Sequence, residues 1–329
     1  MRLVFVGMGL IALEFADCAL AQGHEIVGAV DVDPVKVGRD AGEVLGREAF
    51  GVEVVPSVSQ VTSSADVALV ATGSTLRAAG EQLHACIQHG LNAVSTCEEL
   101  VYPWRTQPEL AQRIDDEARR EGVTVVGAGI NPGFAMDALA LVISAPCSTV
   151  RSVHIRRVLD AGTRRASFRH KVGVGLTDTE FQARVASGAM GHVGLAESAW
   201  MISDRLGLGG EHLEQEIEPV LDGTGIVAGL HQTASLHGTG EVVHLEMTMA
   251  VGVSEPVDVI ELEADPPVRM TIAGGLPGDA GTAGVVVNAA RTAAGAAPGL
   301  LTIDQLPMVY AAPPGSRAGN HDPPGTHEP

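Results

Sequence analysis

Aromatic residues are nearly missing from this chain of 329 residues: two Trp, two Tyr and six Phe make up 3% of it. Stacking platforms built from many rings are excluded, and Val, Ala, Leu and Ile must fill the interior. Cysteine is equally sparse. Cys18, Cys86, Cys97 and Cys147 lie far apart with no CxxC pair, which excludes a disulfide framework or zinc ribbon and leads us to expect no metal and a reducing, cytoplasmic setting. Basic residues are outnumbered, 21 Lys and Arg against 40 Asp and Glu for a net charge of −19, so neither nucleic acid nor an anionic membrane surface is an expected partner. No apolar run has the length of a membrane span, and the first, Leu3 to Val6, leads into glycines rather than a cleavage site.

What is present is globular composition, 45% hydrophobic and 19% charged, with length for about two domains. Residues 3–7 read as a buried strand, 10–22 as a helix with small and apolar residues along one face, and 25–31 as a second strand. Short apolar runs at 67–71, 92–96 and 123–126 repeat the strand signal, and helices are predicted between them at 75–89 and 108–121. Such alternation gives a parallel sheet covered on both faces. After Asn131-Pro132-Gly133-Phe134 a helix at 135–144 leads into period-two strands around Val153 and Ile155, Val243 to Met249, and Val268 to Ile272. They mark a largely antiparallel sheet, with helices at 178–186 and 192–206 to cover it. A small-residue helix at 280–294 returns to the first domain, and the Pro/Gly-rich stretch 311–329 is expected to be a disordered tail.

Gly7-Met8-Gly9-Leu10-Ile11-Ala12 is a GxGxxA turn placed between a strand and a helix. The first glycine permits the turn, the second lets a pyrophosphate approach, and the helix N-terminus faces the phosphates. Asp31 ends the next strand about twenty residues on, where a carboxylate accepts from ribose hydroxyls. The expected fold class is therefore α/β: a Rossmann dinucleotide-binding domain over 1–134 and about 275–310, plus a second α+β domain with a largely antiparallel sheet over 135–274. Nicotinamide is preferred to flavin. Asp31 favours NAD, while Lys36 and Arg39 nearby keep NADP possible.

In doubly wound sheets ligands lie beyond the carboxyl ends of the strands. That rule selects Thr72-Gly73-Ser74, Cys97-Glu98-Glu99 and Asn131 to Phe134. Of the two adjacent carboxylates, one reads as a helix-terminal acid and the other as a general base. Cys97 reads as packing rather than a nucleophile. His231, His237 and His244 lack metal-ligand spacing, and His192, beside Gly191 and Gly194, is the better pocket candidate. Arg157, Arg164 and Arg165 are candidate clamps for a substrate carboxylate.

The runs Ser95 to Leu100 (STCEEL), Tyr102-Pro103-Trp104, Gly129 to Phe134 (GINPGF), Asp160 to Arg165, Lys171 to Leu176, Gly191 to Ser198, Gly278 to Asn288 and Pro298 to Leu301 resemble those of 2,4-diaminopentanoate dehydrogenase and related NAD(P)-dependent amine dehydrogenases. The resemblance implies a second domain like that of dihydrodipicolinate reductase, a homodimer, and reversible oxidative deamination of an amine to a carbonyl plus ammonia. The amine it implies is 2,4-diaminopentanoate or a simple alkyl amine. It also implies a glutamate beside the nicotinamide, Glu98 ahead of Glu99. Residues 155–165 lack the paired histidines of the reductases, and Cys97-Glu98-Glu99 stands where sugar dehydrogenases of this scaffold carry EKP. Under this reading Gly7 to Ile11, Asp31, Lys36, Thr72 to Ser74, Cys97, Asn131, Gly133 and Asn288 hold the cofactor, and Phe134, Met136, Phe168 and His192 line the substrate pocket. The alternatives are a dehydrogenase of an amino acid or sugar-like alcohol, and an NAD(H)-sensing protein without turnover.

Overall fold

The computed structural model describes residues 1–162 and 166–311. Arg164, Arg165 and the expected tail, all but its first residue, lie outside the described residues. The described residues divide into two compact units: Met1–Leu100, Glu109–Ala128 and 282–311, and Val101–Pro108 with Gly129–Gly281.

The first unit opens with β1 (Arg2–Val6), α1 (Leu10–Ala21), β2 (Glu25–Val30), the short α2 (Ala41–Val44), β3 (Val54–Val55), β4 (Val67–Val70), α3 (Leu76–Gln88) and β5 (Asn92–Ser95). Every residue of β4, and β1 from Leu3 on, is buried, as strands covered on both faces must be. Helix α1 buries Ala12, Phe15, Ala16 and Ala19 at helical spacing, and Phe15 meets Phe5 of β1 edge to face at 6.0 Å. The short α4 (Pro103–Thr106) packs with the second unit, although the sequence reading left it in the first domain. The cause is specific: Tyr102 Oη and Arg105 Nε each donate to Asp204 Oδ2 at 2.9 Å, and Arg105 lies 5.2 Å over the Trp200 ring. Helix α5 (Pro108–Glu121) and β6 (Thr124–Gly127) follow.

The second unit continues with α6 (Ala138–Ile143), β7 (Thr149–Asp160), α7 (Ala166–Lys171), α8 (Asp178–Ala186), α9 (Leu195–Leu206), β8 (His212–Leu221), β9 (Val227–Gly238), β10 (Gly240–Ala250), β11 (Val257–Asp265) and β12 (Val268–Ala273). They form a six-stranded sheet ordered β12-β11-β7-β10-β9-β8, in which only β7 and β10 are parallel neighbours. Val153, Ile155, Leu245 and Met247 point to the buried face, where α9 packs on β9 and β10. The alternate residues, among them His154, Arg156, His244 and Glu246, are half-buried or exposed. Period two is thus a burial pattern in this unit.

Helix α10 (Asp279–Ala293) and β13 (Gly299–Leu301) bring the chain back to the first sheet, ordered β13-β6-β5-β4-β1-β2-β3 and parallel throughout. The three-residue β13, invisible as a sequence run, is fixed by Asp115 of α5. Its buried carboxylate accepts from Leu300 N at 2.9 Å and from Arg119 Nε at 2.8 Å. Among the described residues no helix is long and apolar enough to cross a membrane.

Candidate active site

The order of connections in the first sheet reverses between β1 and β4, so the loops after these two strands flank the switch-point crevice where doubly wound sheets take ligands. Gly7 has φ +93°, and a Cβ there would lie 2.5 Å from the Ala71 carbonyl oxygen at the end of β4. Only glycine lets the two strand ends come this close. A Cβ on Gly9 would meet nothing within 4 Å, and no side chain caps the N-terminus of α1. Thr72 Oγ1 is buried beside this turn without a partner among the described residues. Open space at Gly9, uncapped helix amides and an orphaned hydroxyl fit a dinucleotide pyrophosphate.

Asp31 follows β2, and its Oδ2 accepts from Met8 N at 2.8 Å and from Lys36 Nζ at 2.9 Å, while Oδ1 accepts from Asp33 N at 2.9 Å. Burial pushes this carboxyl up, but the Lys36 ammonium and the two amides outweigh it and hold the group below the usual carboxylate range. The carboxylate therefore shapes the glycine turn as well as the ribose position. Large apolar side chains stand exposed in the two segments that flank this contact, Leu10 at 61% after the glycine turn and Val32 at 78% and Val35 at 71% after β2.

The two glutamates separate cleanly. Glu99 N donates to Ser74 O at 3.1 Å, and the Glu99 carboxylate accepts the first amide of α3, Leu76 N, at 2.7 Å. Glu99 is therefore the helix-terminal acid, tied to the helix that precedes it in the chain. Glu98 opens the turn Glu98–Val101 after β5, one strand from the switch point, with Oε2 buried. Cys97, expected at the cofactor, is wholly buried, and its thiol donates to Ser74 O at 3.5 Å. Burial pushes that thiol up to about 12, which suits a packing residue rather than a nucleophile.

Asn288 needs correcting for a different reason. It is tied to Gln22 Nε2 at 3.0 Å, and Gln22 is the C-cap of α1. A helix of 12 residues is about 18 Å long, so this amide bridges α1 and α10 at the end remote from the glycine turn. Met136, expected on the pocket wall, is fully buried core.

In the second unit the turn 131–134 meets the segment around His192. The His192 ring donates from Nε2 to Asn131 O at 3.1 Å, and the Asp137 carboxylate, buried, accepts from Gly133 N and Ser198 Oγ at 2.7 Å each. Asp137 and Gln232, both missed in the sequence, hold this turn. Only the position of Asp137 as N-cap of α6 could have flagged it. Phe134 and Phe168 are half-buried. Arg157 is no open carboxylate clamp. Fully buried, it donates to Asp258 Oδ2 and to Leu276 O at 2.7 Å each. His231 and His244 bond Thr248 Oγ1 and Ser235 Oγ on the sheet, and no cluster able to hold a metal lies among the described residues.

The 2,4-diaminopentanoate dehydrogenase C-terminal domain profile matches residues 134–318. The 2,4-diaminopentanoate dehydrogenase of Acetoanaerobium sticklandii is 31% identical over 94% of both chains. The chain belongs to the 2,4-diaminopentanoate dehydrogenase family. An amine dehydrogenase of Streptomyces virginiae is 28% identical over 44% of this chain and 42% of its own. The solved amine dehydrogenase of Mycobacterium smegmatis superposes with a TM-score of 0.84 at 26% identity, covering 95% of this chain and 98% of that one. Family members of this fold are Rossmann-type dehydrogenases, and the chain is an oxidoreductase of that kind.

Proposed function

We propose that this chain is an NAD(P)-dependent amine dehydrogenase that interconverts an amine with a carbonyl and ammonia, with Glu98 as its acid–base group. The observation that carries the assignment to Glu98 is the engagement of Glu99 by the α3 amide. Glu98, the other of the pair, opens the turn after β5 at the carboxyl edge of the dinucleotide sheet, with its Oε2 buried.

The turn Gly7 to Ile11, Thr72 to Ser74 and Asp31 would hold the dinucleotide. Bound there, it supplies hydride acceptance in deamination and hydride donation in the reverse direction. An ammonium carbon does not release hydride, so Glu98 first takes the nitrogen's proton and passes it to solvent. The restored carboxylate then offsets the positive charge of the iminium and takes a proton from the water that attacks its carbon. In reverse Glu98 assists loss of water as ammonia and carbonyl condense. Substrate recognition falls to Phe134, Phe168 and His192, and Asn131, expected at the cofactor, is reassigned to this group because its carbonyl accepts from the His192 ring at 3.1 Å. NAD is favoured over NADP because Lys36 is drawn onto Asp31 and the carboxylate repels a 2′-phosphate.

A homodimer and a cytoplasmic setting complete the proposal. The former is supported by a sheet face left half-exposed by its own chain, with His154 and Arg156 in its central strand and Glu214, Glu216 and Glu218 along one edge. The latter is supported by four free thiols. Absorbance of reduced nicotinamide on adding NAD with 2,4-diaminopentanoate or an alkyl amine tests the activity. Turnover of sugar alcohols but not amines, or binding of NADH without turnover of any amine, would overturn it.

A further inference from the structure

Strand β9 turns an apolar row toward the helices: Leu230, Ala234 and Leu236 are all fully buried. Gln232 interrupts the row at 2% exposure. A buried amide is costly unless both its ends are bonded. Here both go to one residue: Oε1 accepts from His192 N at 2.7 Å, and Nε2 donates to His192 O at 3.0 Å. The side chain thus does for His192 what a neighbouring strand would do, in a segment that has no ladder of its own. Glycines press that segment inward. Gly191 and Gly194 have φ +119° and +111°, and added Cβ atoms would lie 2.6 Å from Ile217 and 2.5 Å from Pro132.

From this clamped backbone the His192 ring reaches the Asn131 carbonyl at 3.1 Å. A carbonyl only accepts, so the ring nitrogen facing it carries the proton. The Asn131 side chain in turn has a buried Oδ1 without a partner among the described residues, an acceptor held ready for a ligand's N–H. An apolar residue at 232 would pack the row as well but could not orient His192.

We propose that Gln232 is a positioning residue for the reaction: it acts through His192 to aim the Asn131 turn. This rests on the amine dehydrogenase reading, which gives Asn131 and His192 to the substrate. In the full-length protein Gln232→Met removes the amide at nearly constant volume. It should lower kcat/KM for the amine by about 10- to 100-fold, the cost of a small misplacement, with the Kd for NADH from fluorescence unchanged. On a His192→Ala background the same change should add nothing, because the effect passes through His192. Independently of activity, the Nε2–H resonance of His192 in 15N-edited spectra should shift in Gln232→Met.

Should Gln232→Met fail to fold, Gln232→Asn, whose amide falls one methylene short, carries the same tests. A variant with lowered Tm but wild-type kcat/KM and an unmoved ring signal would overturn the proposal, as would losses that multiply with His192→Ala. If the wild type oxidises no amine, the functional reading fails while the ring signal still decides the role of Gln232.

Discussion

The two sheets of this protein hold their chemistry differently. In the parallel sheet, the residues proposed for cofactor and chemistry follow the strands in sequence: Gly7 after β1, Asp31 after β2, Thr72 after β4 and Glu98 after β5. In the mixed sheet they come from separated places, as when Gln232 of β9 grips His192 before α9, or Asp258 of β11 meets Arg157 of β7. A parallel sheet built from strand–helix–strand repeats puts every strand end on one edge, so chain order predicts the site. A sheet of long antiparallel strands makes sites from pairings across it, which depend on register.

The largest effect expected from breaking this contrast lies in the first sheet. Glu98→Gln should lower kcat by roughly two to four orders of magnitude while NADH fluorescence titration stays near wild type. Its neighbour sharpens the point. Glu99→Gln should leave kcat close to wild type and cost about 0.5–1 kcal/mol of stability, read by denaturant unfolding, because only the α3 terminus loses a charge. Equal loss of turnover in both variants would erase the distinction between them.

In the second sheet the large effect is on stability. Asp258→Ala strands the Arg157 guanidinium in the interior and should cost about 3–5 kcal/mol, whereas Arg157→Met with Asp258→Leu should recover most of it. Unfolding midpoints of the single and double variants check this. Asp31→Ala should weaken NAD about 10-fold or more and NADP less, since it removes a ribose acceptor and frees Lys36 for a 2′-phosphate. Comparative kcat/KM for the two cofactors decides it.

The smallest effect concerns the anchor of α4. The Arg105 guanidinium, against the upward push of burial and together with Tyr102, holds the Asp204 carboxyl below its usual range. A depressed carboxylate stabilises the fold above its unfolded value and loses that contribution as pH falls below about 4. Partly exposed, it is worth about 1 kcal/mol or less. The Tm difference between wild type and Asp204→Asn should therefore be present at pH 7 and vanish in acid.

Legibility in the sequence followed the same division. The GxGxxA turn, Asp31, the strand ends and the alternation in β7 and β10 could all be read, because each is a local pattern whose period or glycine reports backbone geometry. Val101–Pro108 could not be assigned to its unit, since nothing in YPWRTQP announces Asp204, about a hundred residues on. Asn288 misled for a related reason: its place in a helix was plain, but not which end of α1 that helix crosses.

By itself the sequence determined that a dinucleotide sheet comes first, that a one-faced sheet follows, and that two adjacent carboxylates stand after the fifth strand. Tertiary structure alone decided which carboxylate is committed to a helix amide, that Arg157 is matched by Asp258, and that Gln232 holds His192. The physical reason is range. Periodicity and turn chemistry are written in neighbouring residues, whereas a hydrogen bond between residues far apart depends on strand order and register, which only the packed fold sets.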